Sequence, residues 1–178
     1  MTSTDSITTT KDWLLREVIG LNLCPFAKVP YDEQRIGYQV SDTDSIEPAL
    51  SELVEAFLDL LDSDDIETSL LIYHQGFSDF DEFWELVGYA EDLMNLQGLD
   101  QVFQLAHFHP DYCFEGLNPD DPANQTNQSP LPTLHLIRHS SLEMAKRSGI
   151  DIDKIPDRNQ ELMRKRARHK DPDTKTKC

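Results

Sequence analysis

LAHFHPDYCFEGLNPDDPANQTNQSPLPTLHLIR, residues 105–138, decides how the chain is read. Its start belongs to an alternating apolar run, VFQLAHFH, that Pro110 stops, and its end is a second apolar run, TLHLIR, preceded by Pro130 and Pro132. Strands are therefore predicted at 102–109 and 133–138. The polar residues between them, 110–132, are long for a structureless connection in a compact domain, and loops of that length are usually functional or disordered. The stretch also holds three of the six histidines and the only arginine between Arg35 and Arg147.

Upstream, RIGYQV (35–40) alternates as a strand, and SLLIYH (69–74) is the continuous apolar run of a strand covered on both faces. Between them Ile46, Leu50, Leu53, Val54, Phe57 and Leu61 recur at helical spacing after an Asp44/Glu47 capping box. A second such helix carries Phe80, Phe83, Val87, Ala90 and Met94, with an Asp79/Glu82 box at its start and Gly98 at its end. Nearer the N-terminus, Thr10 is placed to cap a helix containing Trp13 and Leu14, which gives out at Gly20 and Asn22. Pro25 and Pro30 make the following LNLCPFAKVP irregular. Two further helices are predicted beyond the fourth strand, at 141–147 and 158–168. Strands alternating with helices favour parallel pairing through right-handed crossovers. The prediction is one α/β sandwich over residues 10–165, with about four mostly parallel strands covered by helices, a disordered leader at 1–9 and a flexible basic tail at 166–178.

Charge narrows the function classes. The net charge is −17, and residues 36–137 hold 21 Asp and Glu and no Lys or Arg. Such a field repels phosphate backbones and anionic membranes, so neither nucleic acid nor membrane is the expected partner. No stretch reaches the roughly 18 to 20 apolar residues needed to span a bilayer. The N-terminus lacks a basic segment followed by an apolar one, and three dispersed cysteines, Cys24, Cys113 and Cys178, fit free thiols better than a disulfide framework. A cytoplasmic location is the expectation.

Several residues are candidates for chemistry. His107 and His109 alternate on one strand and share a face, and with His74 and His135 at other strands they would supply imidazoles to a divalent transition metal, the set being His74, His109 and His135. The alternative is histidines hydrogen-bonded at strand ends. Cys24 would act as a nucleophile if a helix terminus or a histidine lowered its pKa, with His109 or His135 as base and Asp111 orienting it; the alternative is an inert buried thiol. Arg138, isolated in an acidic region, would anchor a ligand's anionic group or pair with carboxylates of the fold. Asp121 and Asn127 would line a polar rim, or hold turns of their own loop. Arg158 would be a second cation near the site.

Taken together, NLCPFA (22–27), FHPDY (108–112), TNQSPLPTLHLIR (126–138) and IPDRN (155–159) resemble the domain of unknown function 1415 family, which is mainly bacterial. The resemblance covers roughly residues 10–165. Gln128 stands where the family pattern has a basic residue, and Cys113 where a polar one is common, which weakens an anion grip at this loop. The motif favours His109 over a His107/His109 metal pair. The family carries no activity across. Two readings follow from the residues: an enzyme acting on a small polar metabolite through a Cys/His or His-metal site, or a non-catalytic binding or assembly module using the 110–132 loop.

Overall fold

The computed structural model describes residues 2–170, so residues 171–178 of the expected tail lie outside the described residues. From Ser3 onward the expected disordered leader is helical. Helix α1, Ser3–Trp13, begins on a capping box in which the Thr2 hydroxyl accepts from Asp5 N and the Asp5 carboxylate accepts from Thr2 N. It continues as a π-helical turn, Leu14–Ile19, and a short α2, Lys28–Asp32, follows. Strand β1, Ile36–Ser41, leads through α3, Ile46–Asp62, to β2, Thr68–Tyr73, and α4, Phe80–Gln97, leads to β3, Phe103–Phe108. Strand β4, Thr133–Arg138, precedes α5, His139–Arg147, and α6, Ile155–Lys170. The first part of the expected flexible tail, 166–170, is thus the end of α6.

Two helix starts were legible in different degrees. Asp79 caps α4 by accepting from Asp81 N and Glu82 N at 2.9 and 3.2 Å, and Gly98 ends it at φ +69°, where a Cβ would be strained. The Asp44/Glu47 box does not form. Ser45 is the residue at the start of α3, and its side chain makes no capping bond.

The four strands are ordered β1-β2-β4-β3, and this corrects the mostly parallel expectation. Only β1 and β2 pair in parallel; β4 pairs antiparallel with both β2 and β3. Helical crossovers through α3 and α4 leave β1, β2 and β3 running the same way. No helix long enough to return the chain separates β3 from β4, so β4 must run back against β3, and it does so in the slot between β3 and β2.

Alternation on the central strands builds two layers. Leu71 and Tyr73 of β2, Phe103 of β3 and Leu134 and Leu136 of β4 face α3 and α4, whose Leu53, Phe57, Leu60, Phe83 and Leu86 complete the main core. On the other face Leu70 and Ile72 meet Leu14 and Val18 of the π-helical turn, with Trp13, Tyr31, Ile36 and Tyr38 around them. No described helix is long and apolar enough to cross a membrane.

Arg138 is tied into this framework. Its guanidinium donates to the carbonyls of Leu60, Ser63 and Ile66, at and just beyond the C-terminus of α3, and lies over the Phe103 ring. No basic residue occurs in the last turn of α3 itself, so Arg138 supplies the positive charge that the helix dipole favours there. Replacing Arg138 by Ala should lower the unfolding free energy by about 1–3 kcal/mol, because partly buried carbonyls lose their donor. Urea unfolding would show this as a reduced midpoint, with Lys recovering only part of it because its shorter side chain does not place a donor where Nη2 sits; a midpoint unchanged in the Ala variant would remove Arg138 from the framework.

Candidate functional site

The second face of the sheet encloses a cavity of about 260 Å³ beneath the N-terminal layer. Its floor follows from strand register. His135 of β4 lies between Leu70 of β2 and Ala106 of β3, and the small Ala106 leaves room beside the imidazole. Walls come from Trp13, Leu14 and Val18, from Leu23 to Ala27 of the following loop, and from Phe108, with Leu142, Ile152 and Ile155 completing the enclosure. The π-helical turn supplies Leu14 and Val18, consistent with such turns marking functional sites.

Two of the sequence-predicted residues, Cys24 and His135, line this one cavity. The loop carrying Cys24 is clasped by the first turns of α6. Arg158 donates to the Asn22 and Leu23 carbonyls and to Asn159 Oδ1, while Asn159 Nδ2 donates to Leu23 O at 2.7 Å. The 22–27 and 155–159 motifs therefore meet through the Arg158 and Asn159 hydrogen bonds. Burial pushes the Cys24 thiol pKa up, against the opposing pull of the Phe26 and Ala27 N–H groups and the Arg158 charge. The thiol is protonated at neutral pH.

The His135 tautomer can be deduced. The Thr68 hydroxyl has one proton and lies 2.6 Å from Leu136 O, which can only accept, so the proton points there. His135 Nε2, also 2.6 Å from Thr68 Oγ1, must then be the donor. Nδ1 is left as a lone-pair acceptor with no hydrogen-bond partner among the described residues. Burial drives the His135 pKa down to about 4, so the ring is neutral at pH 7.

The other candidates lie elsewhere. His109 is fully buried on the α4 side of the sheet; its Nε2 donates to Phe77 O at 3.0 Å and its Nδ1 accepts from Asp111 N at 3.0 Å. Both nitrogens are occupied, so His109 has no lone pair for a substrate or metal, and the exposed Asp111 reaches it through its backbone. His107 shares that face as expected, stacked on Tyr112 at 5.6 Å and edge-on to Trp84 at 5.1 Å. His74 contacts Ser6 Oγ through Nδ1 and Asp42 Oδ1 through Nε2. His74, His109 and His135 therefore occupy three separate settings, and no group of three or more His, Cys, Asp or Glu side chains is placed to hold a metal among the described residues.

The long loop is ordered by its own polar side chains. Buried Asn124 accepts from Phe114 N and donates to the Asn118 and Pro119 carbonyls. Asp121 caps the turn at Ala123 and accepts both bonds of a fork from Arg164 of α6, at 3.0 and 2.9 Å. Asn127 Nδ2 donates to His107 O. Asp121 and Asn127 thus brace the loop. Missing from the sequence reading were Trp13, Phe26, Ala106, Phe108 and Thr68; the aromatic residues inside the 22–27 and 108–112 motifs, Phe26 and Phe108, were the available signal.

A neutral buried imidazole has a pH signature. The unfolded chain takes up a proton near pH 6.5 that folded His135 refuses until about pH 4. Its contribution to stability is therefore full above the upper value and is lost as pH falls through that window. Relative to His135→Gln, which cannot titrate, the wild type should lose up to about 3 kcal/mol between pH 7 and pH 4, at roughly 1.4 kcal/mol per pKa unit. Paired denaturant curves at both pH values measure it, and a gap between the two proteins that does not change with pH contradicts a neutral ring.

Neither a curated protein nor a solved structure matches the chain. A family profile does, over residues 5–171, and its description is Protein of unknown function (DUF1415). The cavity, with Cys24 and His135 on its lining, is thus a feature of a chain that belongs to the domain of unknown function 1415 family.

Proposed function

We propose that this protein binds a small, predominantly apolar molecule in the cavity between its sheet and its N-terminal layer. The observation that carries the reading is the unpartnered His135 Nδ1, a neutral acceptor on an otherwise almost wholly apolar lining. Small-molecule sites have this composition: apolar walls and a few polar groups that fix orientation. The lining favours an apolar ligand over the small polar metabolite expected from the motifs, and the binding class over the catalytic one. Free thiols at Cys24 and Cys113 and the uniformly acidic middle of the chain support a reducing, cytoplasmic setting without nucleic-acid partners.

The two tryptophans fall in different layers, which makes the proposal measurable: Trp13 lines the cavity, while Trp84 of α4 lies against Phe80 and edge-on to His107 of β3. In a Trp84→Phe chain, iodobenzene should quench Trp13 emission saturably, and Ala106→Leu, which fills the floor, should abolish the saturable part. Purely linear quenching, equal in both chains, would remove the cavity as a binding site.

A thiol-based reaction is the second reading, favoured by Cys24 sharing the cavity lining with His135 and by the Arg158 charge, which opposes the rise of the thiol pKa. Burial outweighs them. Iodoacetamide should therefore alkylate Cys24 more slowly at pH 7–8 than in the unfolded chain, with the rate still rising above the ordinary thiol range. A plateau already reached below pH 8, read by peptide mass to separate Cys24 from Cys113 and Cys178, would transfer support to the nucleophile.

A further inference from the structure

We infer that the cavity's ligand is a neutral, bicyclic aromatic molecule with a single O–H or N–H donor, of the naphthol or indole class, and that this donor hydrogen-bonds to His135 Nδ1. The inference rests on the reading of the cavity as a small-molecule site and adds size, charge and polarity to it.

Size comes from volume. An apolar protein cavity of about 150 Å³ takes benzene, so the 260 Å³ here takes a second fused ring and not a long chain. Shape comes from the walls: Trp13 and Phe108 meet edge to face at 5.2 Å between ring centres, and Phe26 adds a third ring. Planar faces at this scale suit a flat ligand, since aromatic pairs favour offset or edge geometry.

Charge is excluded from both sides. Glu67 is the only lining residue with a formal charge at neutral pH, and its carboxylate is held by Arg35 at 2.9 Å. A ligand carboxylate or phosphate would find no cation on the lining, and an ion buried without a partner is strongly disfavoured. A ligand ammonium would meet a carboxylate already paired.

Polarity follows from the tautomer. With Nε2 donating to Thr68 and Thr68 donating to Leu136 O, the ring can turn only an acceptor to the cavity. The ligand must therefore bring the proton. A ligand offering only an acceptor, such as an ether or ketone, would leave two lone pairs opposed.

Three probes separate these properties: 2-naphthol, 2-methoxynaphthalene, which keeps the rings and loses the donor, and 2-naphthoate, which adds charge. Calorimetric titration of the full chain should show 2-naphthol bound roughly tenfold or more tighter than 2-methoxynaphthalene, as one unmet buried hydrogen bond predicts, with 2-naphthoate weakest. In His135→Phe the preference for 2-naphthol should fall to within about twofold while 2-methoxynaphthalene still binds. If the wild type binds both neutral probes equally, the donor inference fails and the cavity reading stands. If 2-naphthoate binds best, the charge argument is overturned. If no probe binds, and Ala106→Leu changes nothing, the inference falls together with the site on which it rests. The wild-type ranking decides the matter even if His135→Phe does not fold.

Discussion

The imidazole of His109 is the joint on which the arrangement of this fold depends. It sits fully buried just past β3, between the rings of Phe80 and Phe83 at 5.3 and 5.2 Å. Its side chain donates to Phe77 O and accepts from Asp111 N, and its backbone N–H donates to Asn127 O while its carbonyl accepts from Tyr112 N and Ser129 N. Three segments are tied at one residue: the β2–α4 corner and both ends of the long loop. Phe77 holds a φ of +57°, unfavourable for a side chain with a Cβ, and the bond from His109 is one of the contacts that keep it there. Burial lowers the His109 pKa, in the same direction as its hydrogen bonding requires. Protonation would put a second N–H on Nδ1, where the Asp111 N–H already points.

From that joint the position of the cavity follows. Because the loop leaves β3 and returns at a fixed place, β4 enters between β3 and β2 and sets His135 beside Leu70 and Ala106. The same strand ends at Arg138, which locks the α3 terminus on the opposite face. One strand thus serves both layers: its even-numbered leucines build the main core, and His135 faces the cavity. Charge cooperates with this. The acidic middle of the chain contains no cation of its own, and the arginines that fasten it come from either side: Arg35 holds Glu67, Arg138 holds the α3 terminus and Arg164 grips Asp121 with a fork.

How much of this was legible depends on the range over which each interaction acts. Periodicity identified α3, α4 and all four strands, since apolar spacing is a local property that burial then confirms in Leu53, Phe57, Phe83 and Leu71. Pairing direction was misjudged at β4, although the missing helix between 110 and 132 carried the signal. The N-terminal leader was misjudged because Ser and Thr are weak helix formers, and a local composition argument gives no weight to Thr2 and Asp5 capping one another. Cys24 and His135 were both recognised as chemically notable, and the structure places them on one lining. His109, Arg138, Asp121 and Asn127 stood out for the same polarity, and each makes hydrogen bonds within the fold. A residue type that signals a binding group equally signals a satisfied internal hydrogen bond, and only the identity of the partner, up to 78 positions away for Arg138, distinguishes them.

The cavity itself bears on whether the second layer exists for packing. By the dependence measured in engineered cores, about 24 cal/mol per Å³ of void, an enclosed space of 260 Å³ would forfeit roughly 6 kcal/mol. That is an upper bound, since this one opens partly to solvent. It is nevertheless comparable with the whole stability of many domains, about 5–15 kcal/mol. A larger residue at Ala106 would fill much of the space without disturbing the β3–β4 pairing, because its Cβ already points into the opening. The first layer shows that this chain can pack tightly, with Ala49, Leu53, Phe83, Leu86 and Ala90 wholly excluded from solvent. The cavity lies instead on the face where a neutral imidazole and a protonated thiol line the same volume, so the second layer leaves open a space that the chain's own side chains could have filled.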